Sequence, residues 1–246
     1  MDILLDLLIL LLTFVYVFAT ILIPVQLKKR DKITKFQARK VVHLFAGLSI
    51  LITPYFSSPW WAVLLASSMT ILTFLSSKKS KVKQLRDLYD SIGEEAEEKA
   101  GYLQGPFHYC LSITILITLF AIIAPYQMYF PIAGILLMII SDTLASLIGK
   151  KFGKIKIKLP WTNTTRTLEG SLAFFISGFM LCFIAFTFLG VTNPITQIHI
   201  SLEAALLYSL ITSILATIIE LISPSTWDDL TVPILTTLII FLITLI

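Results

Sequence analysis

The chain alternates long apolar runs with short polar breaks, and the breaks fall at Pro, Gly or clusters of charge. Runs near the length of a bilayer span predict eight transmembrane helices, at about 3–26, 41–57, 60–76, 107–124, 128–148, 170–189, 202–222 and 230–246. Tight turns around Pro54 and Pro125 join the second span to the third and the fourth to the fifth, so each pair reads as a helical hairpin. Between Lys81 and Lys99, Val82, Leu85, Leu88, Tyr89 and Ile92 recur at helical spacing among charges. That pattern predicts an amphipathic helix lying on the membrane surface. The acidic run beside it, Glu94, Glu95, Glu97 and Glu98, reads as a solvated face.

Composition agrees with the pattern. Of 246 residues, 57% are hydrophobic and 14% charged, and the mean hydropathy is +0.89. A chain this apolar is expected to be an all-α polytopic membrane protein, a single membrane domain over 1–246, and not a soluble domain. The first apolar run carries Asp2 and Asp6 in place of basic residues and has no small-residue cleavage site, so it is expected to be a retained helix. Cys110 and Cys182 lie inside apolar runs and read as small hydrophobes.

Charge placement predicts orientation. The 19 Lys and Arg residues fall in three segments, Lys28–Lys40, Lys78–Lys99 and Lys150–Arg166. With eight spans these segments share one face, which the positive-inside rule makes cytoplasmic, with both termini outside.

Candidate chemistry gathers on that face. Asp142 lies near the end of the fifth span, where a carboxylate costs about 2.5–3.5 kcal/mol on insertion scales and calls for a partner. A turn bounded by Gly149 and Gly153 follows, with Lys150, Lys151 and Lys154 in or beside it. Lysines and turn amides of this kind suit phosphate, although no Gly-Lys-Ser/Thr closes a Walker A loop. Thr167 and Glu169 open the sixth span, where an acid is also favoured by the helix dipole. Glu220 lies inside the end of the seventh span, and Asp228 and Asp229 precede the eighth. With Asp142 these carboxylates offer oxygen ligands of the kind Mg²⁺ takes. Arg39, Lys40 and His43 lie three and four residues apart at the start of the second span and share one helical face, an anion-binding arrangement. Gly101, Gly105 and Pro106 form a possible site loop, with Pro106 suited to the first turn of the fourth span.

These residues carry a resemblance. Ser141 to Gly153, Thr167-Leu168-Glu169-Gly170, and Glu220 with Asp228-Asp229-Leu230-Thr231-Val232-Pro233 resemble the CTP-dependent polyprenol kinase family, which includes dolichol kinase and phytol kinase. Arg39-Lys40-Val41-Val42-His43 and Gly105-Pro106 also match. The resemblance spans Arg39 to Pro233. Ser141 stands where the family usually has Gly, and Asp229 where it commonly has Asn; neither departure removes a carboxylate. Glu169, where phytol kinases often carry Ala, leans towards dolichol kinase.

The resemblance implies an integral membrane kinase that uses CTP and Mg²⁺ to phosphorylate a lipid alcohol, either dolichol-like, geranylgeraniol or phytol. His43 or Asp142 would serve as base, with Glu169 catalytic. Arg39, Lys40, Gly149, Lys150, Lys151, Gly153, Lys154 and Thr167 would hold the nucleotide, and Asp142, Glu220, Asp228 and Asp229 the metal. No nucleic-acid partner is expected. A phosphatidate-type cytidylyltransferase shares a related Asp-containing stretch and a Lys-Thr-x-Glu-Gly-like motif, but its C-terminal Leu-Asp-Arg-x-Asp-Ser signature is missing here. A transporter would place polar groups at the midplane, whereas here they gather at one surface.

Overall fold

In the computed structural model residues 3–93, 95–162, 165–192, 197–224 and 227–245 are described. The chain divides into two units, Met1–Thr114 and Ile115–Ile246.

The first unit begins with α1 (Ile3–Lys29), whose 27 residues reach about 40 Å at 1.5 Å per residue. Asp6, in its first turn, is buried. Its carboxylate accepts the Ser57 N–H at 2.9 Å and the Ser57 hydroxyl, which pins the segment ahead of α3 (Trp60–Leu75). A capping box starts α2 (Lys35–Gly47). The Thr34 hydroxyl accepts the Gln37 N–H at 3.2 Å, and the Gln37 side chain accepts the Thr34 N–H at 2.9 Å. A 3₁₀ segment, Leu48–Tyr55, continues α2 and contains Pro54.

The expected amphipathic helix is α4 (Lys83–Ile92). Its apolar face is covered by protein: Leu88, Tyr89 and Ile92 pack with Val17, Ile21 and Val25 of α1, Ala38 of α2 and Leu103. Helix α5 (Glu95–Ala100) follows, and α6 (Gln104–Ile123) starts in this unit.

In the second unit one helical rod, Tyr129–Phe152, is made of α7 (Tyr129–Leu136), a π turn at Leu137–Ser141 and α8 (Asp142–Phe152). A two-stranded hairpin follows, β1 (Lys156–Lys158) with β2 (Thr165–Thr167), antiparallel, with Ile157 opposite Arg166. Then come α9 (Leu168–Ala185), extended by a second π turn at Phe186–Val191, α10 (Leu202–Ile222) and α11 (Asp228–Ile243). Aromatic rings fill the core of this unit: Phe120 meets Phe241 at 5.0 Å between centroids, and Phe130 meets Phe186 at 5.6 Å and Phe241 at 5.7 Å.

Five helices among the described residues are long and apolar enough to cross a membrane: Ile3–Lys29, Gln104–Ile123, Tyr129–Phe152, Leu168–Val191 and Leu202–Ile222. This is an all-α integral membrane protein apart from the small hairpin. Three expected spans fall short of that length. The run at 41–57 passes from α-helix to 3₁₀-helix at Leu48. Helices α3 and α11 have 16 residues each, about 24 Å of rise against a hydrocarbon core of about 30 Å.

Candidate active site

The π turn sets the position of Asp142. Its N–H donates to the Leu137 carbonyl, five residues back, so the ladder carries one extra residue before α8 resumes; such turns recur at functional sites. Ser141 is fully buried, whereas Asp142 is partly exposed.

Three glycines let α8 and α9 approach. A Cβ on Gly149 would stand 2.9 Å from the Thr167 hydroxyl, and one on Gly170 would stand 3.0 Å from both that hydroxyl and the Ala145 carbonyl. A Cβ on Gly153 would overlap the Gly149 carbonyl and the Thr167 side chain. Gly153 has an ordinary φ of −65°, and Gly149 lies within α8. Their part here is close packing against Thr167, not the backbone freedom expected of a phosphate turn. Thr167 caps α9, its hydroxyl accepting the Gly170 N–H at 3.1 Å.

The lysine segment is a helix end and a hairpin, not an open loop. Lys150 and Lys151 occupy the last turn of α8, and Lys154 lies just beyond it; all three are exposed. Glu169 holds this segment in place by accepting the Lys154 N–H at 2.9 Å and the Ile155 N–H at 3.3 Å, while the Leu168 N–H returns to the Ile155 carbonyl at 2.9 Å. In this arrangement Glu169 anchors the segment.

Arg166, which sequence reasoning counted only as a loop charge, is central. From β2 its Nη1 donates to Glu220 Oε1, and its Nη2 donates to the Ser223 carbonyl at 3.1 Å and to Asp228 Oδ2 at 3.4 Å. The Trp161 indole N–H donates to the Ile222 carbonyl at 3.1 Å, tying the hairpin to the same helix end. The Ser223 and Thr231 hydroxyls, 2.6 Å apart, join the ends of α10 and α11. Asp142 lies close enough for its charge to act on both Glu220 and Asp228, and Asp229 acts on Asp228. The structure thus brings the end of α10 and the start of α11 beside the start of α8.

Among the described residues no three His, Cys, Asp or Glu side chains converge as ready ligands for one metal ion; the Arg166 guanidinium stands between Glu220 and Asp228. The donor set still fits a hard divalent cation. It consists of carboxylate oxygens, and Glu220 Oε2 is buried with no hydrogen-bond partner among the described residues. One or two carboxylates suffice for Mg²⁺ when phosphate and water supply the remaining positions.

The other expected site residues lie in the first unit. Arg39 Nη1 pairs with Glu97 Oε1 at 2.7 Å, and Glu97 Oε1 also accepts the Gly105 N–H at 3.3 Å. Glu97 is buried, so the acidic run is not wholly a solvated face; its carboxylate faces a guanidinium. A Cβ on Gly105 would overlap that guanidinium, which explains the glycine. Gly101 has a φ of +80°, in the left-handed region that glycine enters without strain. Pro106 lies in the first turn of α6 as expected. The His43 ring lies 4.4 Å from the Tyr109 ring, and the Tyr109 hydroxyl donates to the His43 carbonyl at 2.9 Å. Lys40 is half-buried on the same helix.

Comparison with known proteins bears on what this arrangement serves. No family model matches the chain, and no solved structure matches it. Dolichol kinase of Saccharomyces cerevisiae is 33% identical over 168 residues, covering 68% of this chain and 30% of that protein. The chain is similar to dolichol and phytol kinases. A probable chloroplastic phytol kinase of Triticum aestivum is 28% identical over 222 residues, 88% of this chain and 70% of that protein. Phytol kinase 1 of Arabidopsis thaliana, also chloroplastic, is 28% identical over 230 residues, 92% and 72% of the two chains. The chain therefore spans under a third of the yeast protein and about 70% of the plant proteins. The resemblance read from the motifs is borne out by these relatives.

Proposed function

We propose that this protein is a CTP-dependent kinase that moves the γ-phosphoryl group of CTP to the hydroxyl of a long isoprenoid alcohol. The observation that carries the reading is the gathering of Asp142, Glu220, Asp228 and Arg166 at one end of α8, α10 and α11, in a chain related to dolichol and phytol kinases. The alcohol oxygen would form a bond to the γ-phosphorus while the bond from that phosphorus to the β–γ bridging oxygen breaks. CDP leaves, and the hydroxyl proton passes to a base, for which Asp142 and His43 are the candidates.

Asp142, Glu220, Asp228 and Asp229 would hold Mg²⁺. When bound, Mg²⁺ supplies charge neutralisation at the phosphates. Lys150, Lys151 and Lys154 would meet the remaining phosphate charge. Glu169 would fix the segment that carries Lys154, and Thr167 with its three glycine neighbours would keep that segment against α8. Arg39 and Lys40 are proposed as further anion-binding groups. In the proposed topology 41–57, 60–76 and 230–246 also cross the membrane, which puts the lysine segments and the site at the cytoplasmic face and both termini outside.

The names of the relatives favour phosphate transfer to an alcohol over CDP-lipid synthesis. The test is purified protein in lipid nanodiscs with γ-labelled CTP, Mg²⁺ and a panel of dolichol, geranylgeraniol, phytol and diacylglycerol. A labelled isoprenoid monophosphate is expected. Formation of a CDP-lipid from a lipid phosphate, or no turnover with any alcohol, would refute the reading.

A further inference from the structure

Arg166 makes an incomplete use of its donors. A guanidinium paired with a single carboxylate commonly forms two parallel bonds, spending two N–H donors on two oxygens. Here one guanidinium is shared between Glu220, Asp228 and the Ser223 carbonyl. Arg166 Nε and Glu220 Oε2 are both buried with no hydrogen-bond partner among the described residues. The arrangement supplies positive charge to two carboxylates at the end of a membrane helix; Asp228 Oδ1 also accepts the Asp229 N–H at 3.2 Å, whereas Glu220 Oε2 is left unsatisfied among the described residues. A buried carboxylate stripped of its cation is strongly destabilised, so Glu220 requires such a charge whether or not a ligand is present. The guanidinium also has the planar fork that fits phosphate oxygens.

We propose that Arg166 is a positioning residue that acts as the internal counter-cation of the donor site. It holds Glu220 and Asp228 while the site is empty, releases them to a divalent cation, and swings its guanidinium to the phosphates of the nucleotide. The inference rests on the kinase reading for the identity of the phosphates, but not for the exchange between guanidinium and divalent cation. Arg166 thereby couples the two ligands: a metal alone must compete with it, whereas a metal arriving with a nucleotide gives it a new partner.

The test uses the full chain in nanodiscs, with Mn²⁺ as probe, read by electron paramagnetic resonance with and without CTP. Removing the competitor in Arg166→Gln is expected to tighten Mn²⁺ binding in the absence of nucleotide by about tenfold, and to weaken CTP binding by at least as much. Arg166→Lys keeps a charge but cannot bridge both carboxylates, so it should shift both affinities in the same directions by less. It decides the matter if the Gln variant does not fold. A merely structural arginine would leave Mn²⁺ affinity unchanged or lower it in folded protein, and either result overturns the proposal. Failure of the kinase reading is separable. Wild-type protein that yields no lipid phosphate refutes that reading, while the Mn²⁺ titration still reports whether Arg166 and the metal compete.

Discussion

Arg39 on α2 and Glu97 on α5, 58 residues apart in sequence, meet at 2.7 Å with the Glu97 side chain 1% exposed. The same carboxylate oxygen accepts the N–H of Gly105 at 3.3 Å, so one buried acid fixes both an expected anion-binding arginine and the start of α6. Removing it takes the buried Glu97 carboxylate away from the guanidinium. Glu97→Ala is expected to lower the stability of the detergent-solubilised protein by about 3 kcal/mol. A solvated acid would cost under about 0.5 kcal/mol. Thermal unfolding of the two proteins distinguishes the values.

The anchoring part of Glu169 has a local signature. Glu169→Ala removes the acceptor for the Lys154 and Ile155 amides, and their hydrogen exchange should accelerate by at least about tenfold. Exchange through the middle of α9 should be unchanged. Activity should fall through weaker CTP binding more than through slower turnover.

Asp142→Asn keeps the size of the side chain and removes its charge. The variant is expected to insert and fold normally but to lose turnover by orders of magnitude, because charge neutralisation at the phosphates is lost. Near-normal activity at saturating Mg²⁺ would refute the assignment.

Lys150 and Lys151 lie on the last turn of α8, exposed. Replacing both with Ala should raise the apparent KM for CTP by at least about tenfold and leave the KM for the alcohol little changed. An effect confined to the alcohol would assign the segment to lipid entry.

What was legible beforehand follows from the physics of each signal. The five long helices were located to within a few residues because hydrocarbon demands apolar side chains along a whole span. The apolar run at 41 begins six residues after the start of α2, because the capping box at Thr34 and Gln37 is polar and precedes it. The change to 3₁₀ geometry at Leu48 has no hydrophobic signature. The close approach of α8 and α9 through Gly149, Gly153 and Gly170 was hidden too, since small residues suit turns and packing alike. By charge pattern alone Glu97 and Arg166 both read as surface charges. Their partners lie 58 and 54 residues away, a distance to which helical spacing rules do not apply.

The π turn at Leu137–Ser141 separates two helical segments with different tasks. α7 is buried at every position, whereas α8 buries only Thr143 and Ala145 and ends in exposed lysines. One surplus residue turns everything downstream by about 100° around the helix axis. Deleting a residue within the turn would restore an ordinary α ladder and leave the aromatic core of α7 in register. It would also rotate Asp142 away from Glu220 and Asp228 and turn Gly149 and Gly153 away from Thr167, so the carboxylate cluster and the close packing of α8 on α9 would be lost together.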